Sequence, residues 1–198
     1  MIHREPLEWT RTWWEQAESG DLPRILLIGD SIVCGYRDGV QEELRGKAYV
    51  DQFATSKFAA DPFFAKELNL YLEAYPYDCI HFNHGLHGRD FPLDVYEHAY
   101  EETLKKLLTV CPHVILTLST PITRSGNPAE LDSLNQVVTE RNQVVLDLAE
   151  KYQLPVDDLY ALVLGHPEYR VMDGYHYNES GKAVQSKQVA ETIMKIIE

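Results

Sequence analysis

Short apolar runs alternate with longer stretches of helical spacing along most of the chain. Residues 24–28 read Arg-Ile-Leu-Leu-Ile between Pro23 and Gly29. A continuous apolar run of that length suits a strand covered on both faces. Comparable runs at 79–83, 113–118 and 154–156, with a shorter one at 47–51, bring the expected strands to five. Helical spacing fills the intervals at 37–44, 62–74, 92–110 and 129–152. A last helix is expected over 179–197, with Ala183, Ala190, Ile193 and Ile197 on one stripe. Strands that alternate with helices in this way predict βαβ units and a mainly parallel sheet.

Local signals refine some ends. Asn127-Pro128-Ala129-Glu130 offers a cap, a proline for the first helical position and an early acid, which predicts a helix start there. Pro112 falls where the fourth strand begins, a place that loses no ladder hydrogen bond. The segment 8–14 carries three tryptophans and reads as an amphipathic helix packed outside the sheet, its indoles assigned to packing rather than to a sugar site. It belongs to an N-terminal extension, residues 1–22, expected to pack on the domain. No repeat, low-complexity stretch or linker divides the chain, so residues 1–198 are read as one domain.

Composition then narrows the function classes. Eighteen Lys and Arg stand against 31 Asp and Glu, a formal charge of −13. Nucleic-acid binding rests on a basic, phosphate-neutralising surface, and anionic lipid asks for the same, so neither partner is expected. The start, Met1-Ile2-His3-Arg4-Glu5-Pro6, lacks the basic-then-apolar pattern of a secretory leader. No apolar run approaches the roughly 18 residues of a membrane span. Cys34, Cys79 and Cys111 are odd in number and unclustered, which fits a reducing compartment. A cytoplasmic protein is expected.

Ligands of parallel α/β sheets sit at the carboxyl ends of the strands, near the point where strand order reverses. The first strand runs there into Gly29-Asp30-Ser31. A serine at a helix start has outward backbone N–H groups beside it, an arrangement that holds an oxyanion. Just before the last helix stands Met172-Asp173-Gly174-Tyr175-His176. A hydroxyl needs a base to take its proton, and imidazole needs a carboxylate to fix its tautomer. A tight turn lets Asp173 and His176 supply both.

Gly29-Asp30-Ser31 combined with Asp173-x-x-His176 resembles the SGNH/GDSL hydrolase family, over the span from about Arg24 to the C-terminus. The resemblance implies an α/β class fold, a three-layer α/β/α sandwich with a flavodoxin-like sheet of five parallel strands. It implies Ser31 as nucleophile, His176 as general base and acid, and Asp173 as the orienting carboxylate, with no metal or organic cofactor.

The middle motifs depart from that pattern. The family places an asparagine in Gly-x-Asn-Asp after the third strand; aligning Gly85 puts His87 at the asparagine and Gly88 at the aspartate. Asn83, two residues before Gly85, offers an amide from a nearby position. The expected oxyanion hole is therefore Ser31, Asn83 and His87, with Asn83 the stronger donor. The family's second-strand glycine is also missing, and the backbone N–H of Ala54, Thr55 or Ser56 stands in its place, with the choice open. Asn83-His84-Gly85-Leu86-His87 further resembles polysaccharide O-acyltransferase and acylesterase relatives in the superfamily.

The expected function is hydrolysis of a small acyl ester, an acetyl group on a carbohydrate being the leading substrate class. Lysophospholipase or thioesterase chemistry and a non-catalytic sugar-binding module are the rivals. A metal-dependent hydrolase built on His81-x-x-His84-x-x-His87 is a further rival, disfavoured because residues three apart on a strand face opposite sides. Tyr36, Tyr169, Arg170, Tyr175 and Tyr177 are expected to flank the site.

Overall fold

The computed structural model describes residues 4–198. In chain order its strands are β1 (Thr10–Trp13), β2 (Arg24–Gly29), β3 (Tyr49–Thr55), β4 (Cys79–Phe82), β5 (Val114–Thr117), β6 (Thr123–Arg124), β7 (Asn127–Leu131) and β8 (Val156–Asp157). Its helices are α1 (Ser31–Glu43), α2 (Pro62–Ala74), α3 (Leu93–Val110), α4 (Asn135–Tyr152), α5 (Leu159–Val163) and α6 (Glu179–Ile197).

Six strands form the central sheet in the order β1-β3-β2-β4-β5-β8. The five from β3 to β8 pair in parallel, as the alternating pattern predicts, and their order is flavodoxin-like. Successive β2 side chains point to opposite faces. Leu26 and Ile28 join Phe64 of α2, Leu104 of α3 and Leu148 of α4 in one buried layer. Ile25 and Leu27 join Val33 and Val40 of α1 and Val189 of α6 in the other. Both faces of β2 are therefore dry, which is why its sequence shows no polar alternation.

Three expectations change. The segment 8–14 is not a helix outside the sheet: β1 adds a sixth, antiparallel strand, with Thr10 opposite Thr55 and Trp13 opposite Gln52. Its Thr-Arg-Thr-Trp sequence has the β-branched and aromatic character of a strand, and the outer edge of β3 supplies the hydrogen bonds it needs. The expected helix at 129–152 begins at Asn135 instead, because Asn127-Pro128-Ala129-Glu130 lies in β7, paired with β6 across a turn at Ser125-Gly126. Gly126, at φ +80, closes that hairpin. The first helix starts at Ser31 rather than at residue 37, since the Asp30 side chain caps it by accepting from Ile32 N at 2.8 Å.

Strand order reverses beside β2: the chain crosses from β2 to β3 on one side and returns to β4 on the other. The loops that leave β2 and β4 flank this switch point, and Asn83 N donates to Ile28 O at 2.9 Å. The 29–31 segment and the 83–88 segment therefore sit side by side at the carboxyl edge of the sheet.

Candidate active site

Ser31 occupies the first position of α1, directly beyond β2. Its N–H is one of the amides at a helix start that have no intrahelical partner. The chain must turn sharply here: a Cβ on Gly29 would stand 2.1 Å from a Val33 methyl and 3.2 Å from Asn83 O. Only glycine leaves room for α1 and the β4 loop to approach the strand end together.

The other half of the arrangement sits on the turn before α6. Asp173 Oδ1 accepts from Tyr175 N at 2.8 Å and from His176 N at 2.9 Å. Its Oδ2 accepts from His176 Nδ1 at 2.6 Å. Gly174, at φ +89, turns its carbonyl to Thr123 N at 2.9 Å, and a Cβ there would meet Thr123 O at 2.3 Å. Arg170 anchors the same turn, donating to Pro121 O at 2.7 Å and to the Tyr177 hydroxyl at 2.6 Å. Across the cleft, His176 Nε2 lies 2.8 Å from Ser31 Oγ. A carboxylate on Nδ1 leaves Nε2 as the acceptor, so the Ser31 hydroxyl donates to it.

Burial alone would raise the Asp173 carboxyl, but the His176 and Tyr175 hydrogen bonds outweigh it and hold it below the usual carboxylate range. Asp30 goes the other way. It is 2% exposed, burial pushes its carboxyl up despite the nearby His87 and His176, and its Oδ2 has no partner among the described residues.

The structure separates the three histidines of the 81–87 segment. His81 is buried on β4 within the sheet, its Nε2 2.9 Å from Asp157 Oδ2 and 2.9 Å from Thr117 Oγ1. His84 donates from Nε2 to Lys57 O at 2.8 Å, against the Phe58 and Phe64 rings. His87 donates from Nδ1 to Glu5 Oε1 at 3.0 Å. With three different partners, the rings do not converge on one point.

Burial lowers the His84 imidazole to about 4. An unfolded chain protonates histidine at about 6.5, so between those values the unfolded state binds the proton and the folded state does not. Stability therefore falls as pH drops through that window, by an amount on the order of 3 kcal/mol. Urea midpoints at neutral pH and near pH 4.5 should show a smaller loss for His84→Leu than for the parent. Equal losses would place the acid sensitivity elsewhere.

The cleft beside Ser31 holds about 800 Å³ and is lined by Trp9, Arg11, Cys34, His87, His176 and Lys182, among others. Asn83 does not line it: it is 2% exposed, and its Oδ1 accepts from Ser119 Oγ at 3.5 Å. Of the residues expected to flank the site, Tyr36 is fully buried beside His81, Arg170 is given to the turn, and the Tyr175 hydroxyl accepts from Arg89. Only Tyr177 of that set reaches the cleft wall. Ser56 is removed from the second-strand alternatives, because its N–H donates to Trp9 O at 3.1 Å.

Several residues at the site carry no sequence signal of their role. Arg11 lies on the β1 strand of the segment expected as a helix, with Trp9 directly before that strand and Glu5 four residues earlier. Arg141, 1% exposed on α4, donates to Gly85 O, His87 O and Gly88 O at 3.0, 2.7 and 2.6 Å. Its guanidinium also lies over the Tyr96 ring at 4.5 Å, so one side chain shapes the whole 85–88 segment. An arginine on the buried face of an amphipathic helix was its only mark in the sequence.

No protein-family model and no curated protein sequence matches the chain. Solved structures do. A lipase/acylhydrolase from Enterococcus faecalis aligns with a TM-score of 0.73 and 21% identity, covering 88% of this chain and 96% of the other. A GDSL-like lipase from Bacteroides thetaiotaomicron aligns at 0.70 and 14%, covering 87% and 88%. An acetylxylan esterase from Geobacillus stearothermophilus aligns at 0.67 and 18%, covering 88% and 94%. Likeness at such identities speaks to architecture, and the sheet order and layers agree with it: the chain has the α/β/α fold of the SGNH/GDSL hydrolases.

Proposed function

We propose that the protein is a serine esterase that removes a small acyl group, an acetyl group foremost, through an acyl-enzyme on Ser31. The hydrogen-bonded chain Asp173–His176–Ser31 at the carboxyl end of β2 carries this reading. Fold neighbours named acylhydrolases and acetylxylan esterases support the ester chemistry and an acetylated carbohydrate as substrate.

In the first half-reaction, Ser31 Oγ attacks the ester carbonyl while its proton passes to His176 Nε2. Asp173 stabilises the imidazolium that forms. The carbonyl oxygen takes the negative charge and faces the Ser31 N–H at the α1 start, where the helix dipole favours it. Collapse expels the alcohol, which takes the proton from His176. Water then attacks the acyl-Ser31 by the same route and releases the acid.

Two side chains from the 83–88 segment are the candidates to complete the oxyanion hole in this reading: His87 from the cleft wall, and Asn83, whose amide has to serve it from outside that wall. Their chemistry differs. The Glu5 carboxylate is an acceptor only, so a neutral His87 keeps its proton on Nδ1 and presents a lone pair at Nε2. His87 donates to an oxyanion through Nε2 only as imidazolium. With its Oδ1 on Ser119, the Asn83 amide has an N–H₂ that donates at any pH. Asn83→Ala should lower kcat by about 10²–10³ with KM little changed, and His87→Ala by less. A lower melting temperature with normal turnover in Asn83→Ala would pass the role to His87.

Fluorophosphonate treatment followed by mass spectrometry tests the central step. The expected adduct is on Ser31, with turnover of acetylated sugars and simple aryl acetates. Unlabelled Ser31 and no turnover on that panel would refute the reading.

A further inference from the structure

The chain is acidic as a whole, yet the cleft beside Ser31 is lined by cations. Arg11 and Lys182 are part of its wall, and no Asp or Glu is. They come from different elements, β1 and α6, and meet the same strip of α1. Arg11 contacts the Cys34 thiol, and a Cβ on Gly35 would touch the Lys182 stem at 3.8 and 3.9 Å. Cys34 and Gly35 follow Ser31 by three and four positions, so all three share one helix face. The two cations thus bracket a spot one helical turn, about 5.4 Å, from the nucleophile.

Within the cleft wall, Arg11 and Lys182 are the arginine and lysine, and the nearby carboxyls among the described residues lie outside it. Among the described residues no ion pair engages Arg11, which is exposed. Lys182 donates to Glu179 at 2.7 Å, but the Glu179 side chain is 92% exposed, and such pairs yield readily to competing anions. Glu5, Asp173 and the buried Asp30 are each already hydrogen-bonded, to His87, His176 and Ile32 N, and burial pushes the Asp30 carboxyl up. Burial pushes the Cys34 thiol up to about 11, so it stays uncharged. Gly35 has no side chain to shield the site, which leaves the Lys182 stem lying along α1.

We propose that Arg11 and Lys182 form a subsite for an anionic group, a carboxylate or a phosphate, carried by the ester that Ser31 cleaves. This rests on the esterase reading and narrows it: the preferred ester carries an acid group, on the carbohydrate or on the acyl chain, and neutral esters are poorer substrates. The reaction remains ordinary hydrolysis, in which ester and water give an acid and an alcohol.

Matched esters test the subsite. Phenyl acetate against para-acetoxybenzoate varies the charge on the alcohol side; para-nitrophenyl butyrate against its hemisuccinate counterpart varies it on the acyl side. In one of these pairs kcat/KM should favour the charged ester by about tenfold at low salt. The preference should shrink at about 1 M NaCl, where the screening length is about 3 Å. Arg11→Gln and Lys182→Gln should each cut the ratio about fivefold, and Arg11→Lys should restore part of it. Equal use of charged and neutral esters in both pairs, or a preference that survives both variants, would overturn the proposal.

A binding arm separates this proposal from the esterase reading. Calorimetry with Ser31→Ala should show tighter binding of para-acetoxybenzoate than of its methyl ester, and the difference should shrink when Arg11→Gln is added. If no ester is turned over and Ser31 is not labelled, the esterase reading fails and binding alone decides the subsite. Equal affinities for para-acetoxybenzoate and its methyl ester, and equal affinities for para-nitrophenyl butyrate and its hemisuccinate counterpart, would then overturn it.

Discussion

Ser31→Ala is expected to yield a folded protein whose ester turnover is lower by about 10⁶-fold, the scale of loss when a triad nucleophile is removed. Stability should change little. The cap of α1 is the Asp30 carboxylate on Ile32 N, so the Ser31 hydroxyl is not needed to start the helix. Alanine is also a good residue for the first turn. What vanishes is the covalent route, because no hydroxyl remains to carry the acyl group. The proposed oxyanion donors stay in place, so a residue of catalysis over water, about 10³–10⁴, should persist. The measurement is turnover and melting temperature of the purified variant, with mass spectrometry for the fluorophosphonate adduct. Parent-like turnover in that variant would eliminate the acyl-enzyme mechanism.

Asp173→Asn should lower turnover by about 10⁴-fold while leaving ligand binding in place. The carboxylate does two things at once: Oδ1 holds the Tyr175 and His176 amides, and Oδ2 takes the His176 Nδ1 proton. An asparagine keeps the first role through its carbonyl, so the turn should survive. Its N–H₂ then faces Nδ1 and demands a lone pair there, which moves the ring proton to Nε2, where Ser31 needs an acceptor. Because the Asp173 carboxyl is held low, it stays ionised at neutral and mildly acid pH, and the loss should persist across that range. A loss below about tenfold would mean that another group orients His176. Asp157 and Asp158 are the candidates that strand order alone puts forward, but Asp157 is paired with His81, and Asp158 caps α5 through Ala161 N.

The apolar run at 25–28 needed no tertiary context to be legible. Four uninterrupted apolar residues next to Gly-Asp-Ser admit few structures besides a buried strand ending in a sharp turn, and β2 followed by Ser31 is that structure. The last helix and the Asp173–His176 turn were legible for a similar reason, since local spacing and hydrogen-bond geometry within a few residues determine them, and the alternation of strands with helices gave the strands' parallel orientation but not their order. The 8–14 segment and the 127–131 segment were not. Each carries a helix-like signal that is weaker than the strand pairing available elsewhere, at the edge of β3 for one and in the β6–β7 hairpin for the other. The cleft shares that dependence. Glu5 meets His87 across 82 positions, Arg141 clamps carbonyls 53 to 56 positions away, and Arg11 and Lys182 come together only because β1 and α6 both pack beside α1. Hydrophobic periodicity reports which face of an element is buried. Which charged side chains from distant elements meet at the end of a strand is decided by the order and crossing of those elements, and that order exists only in the folded sheet.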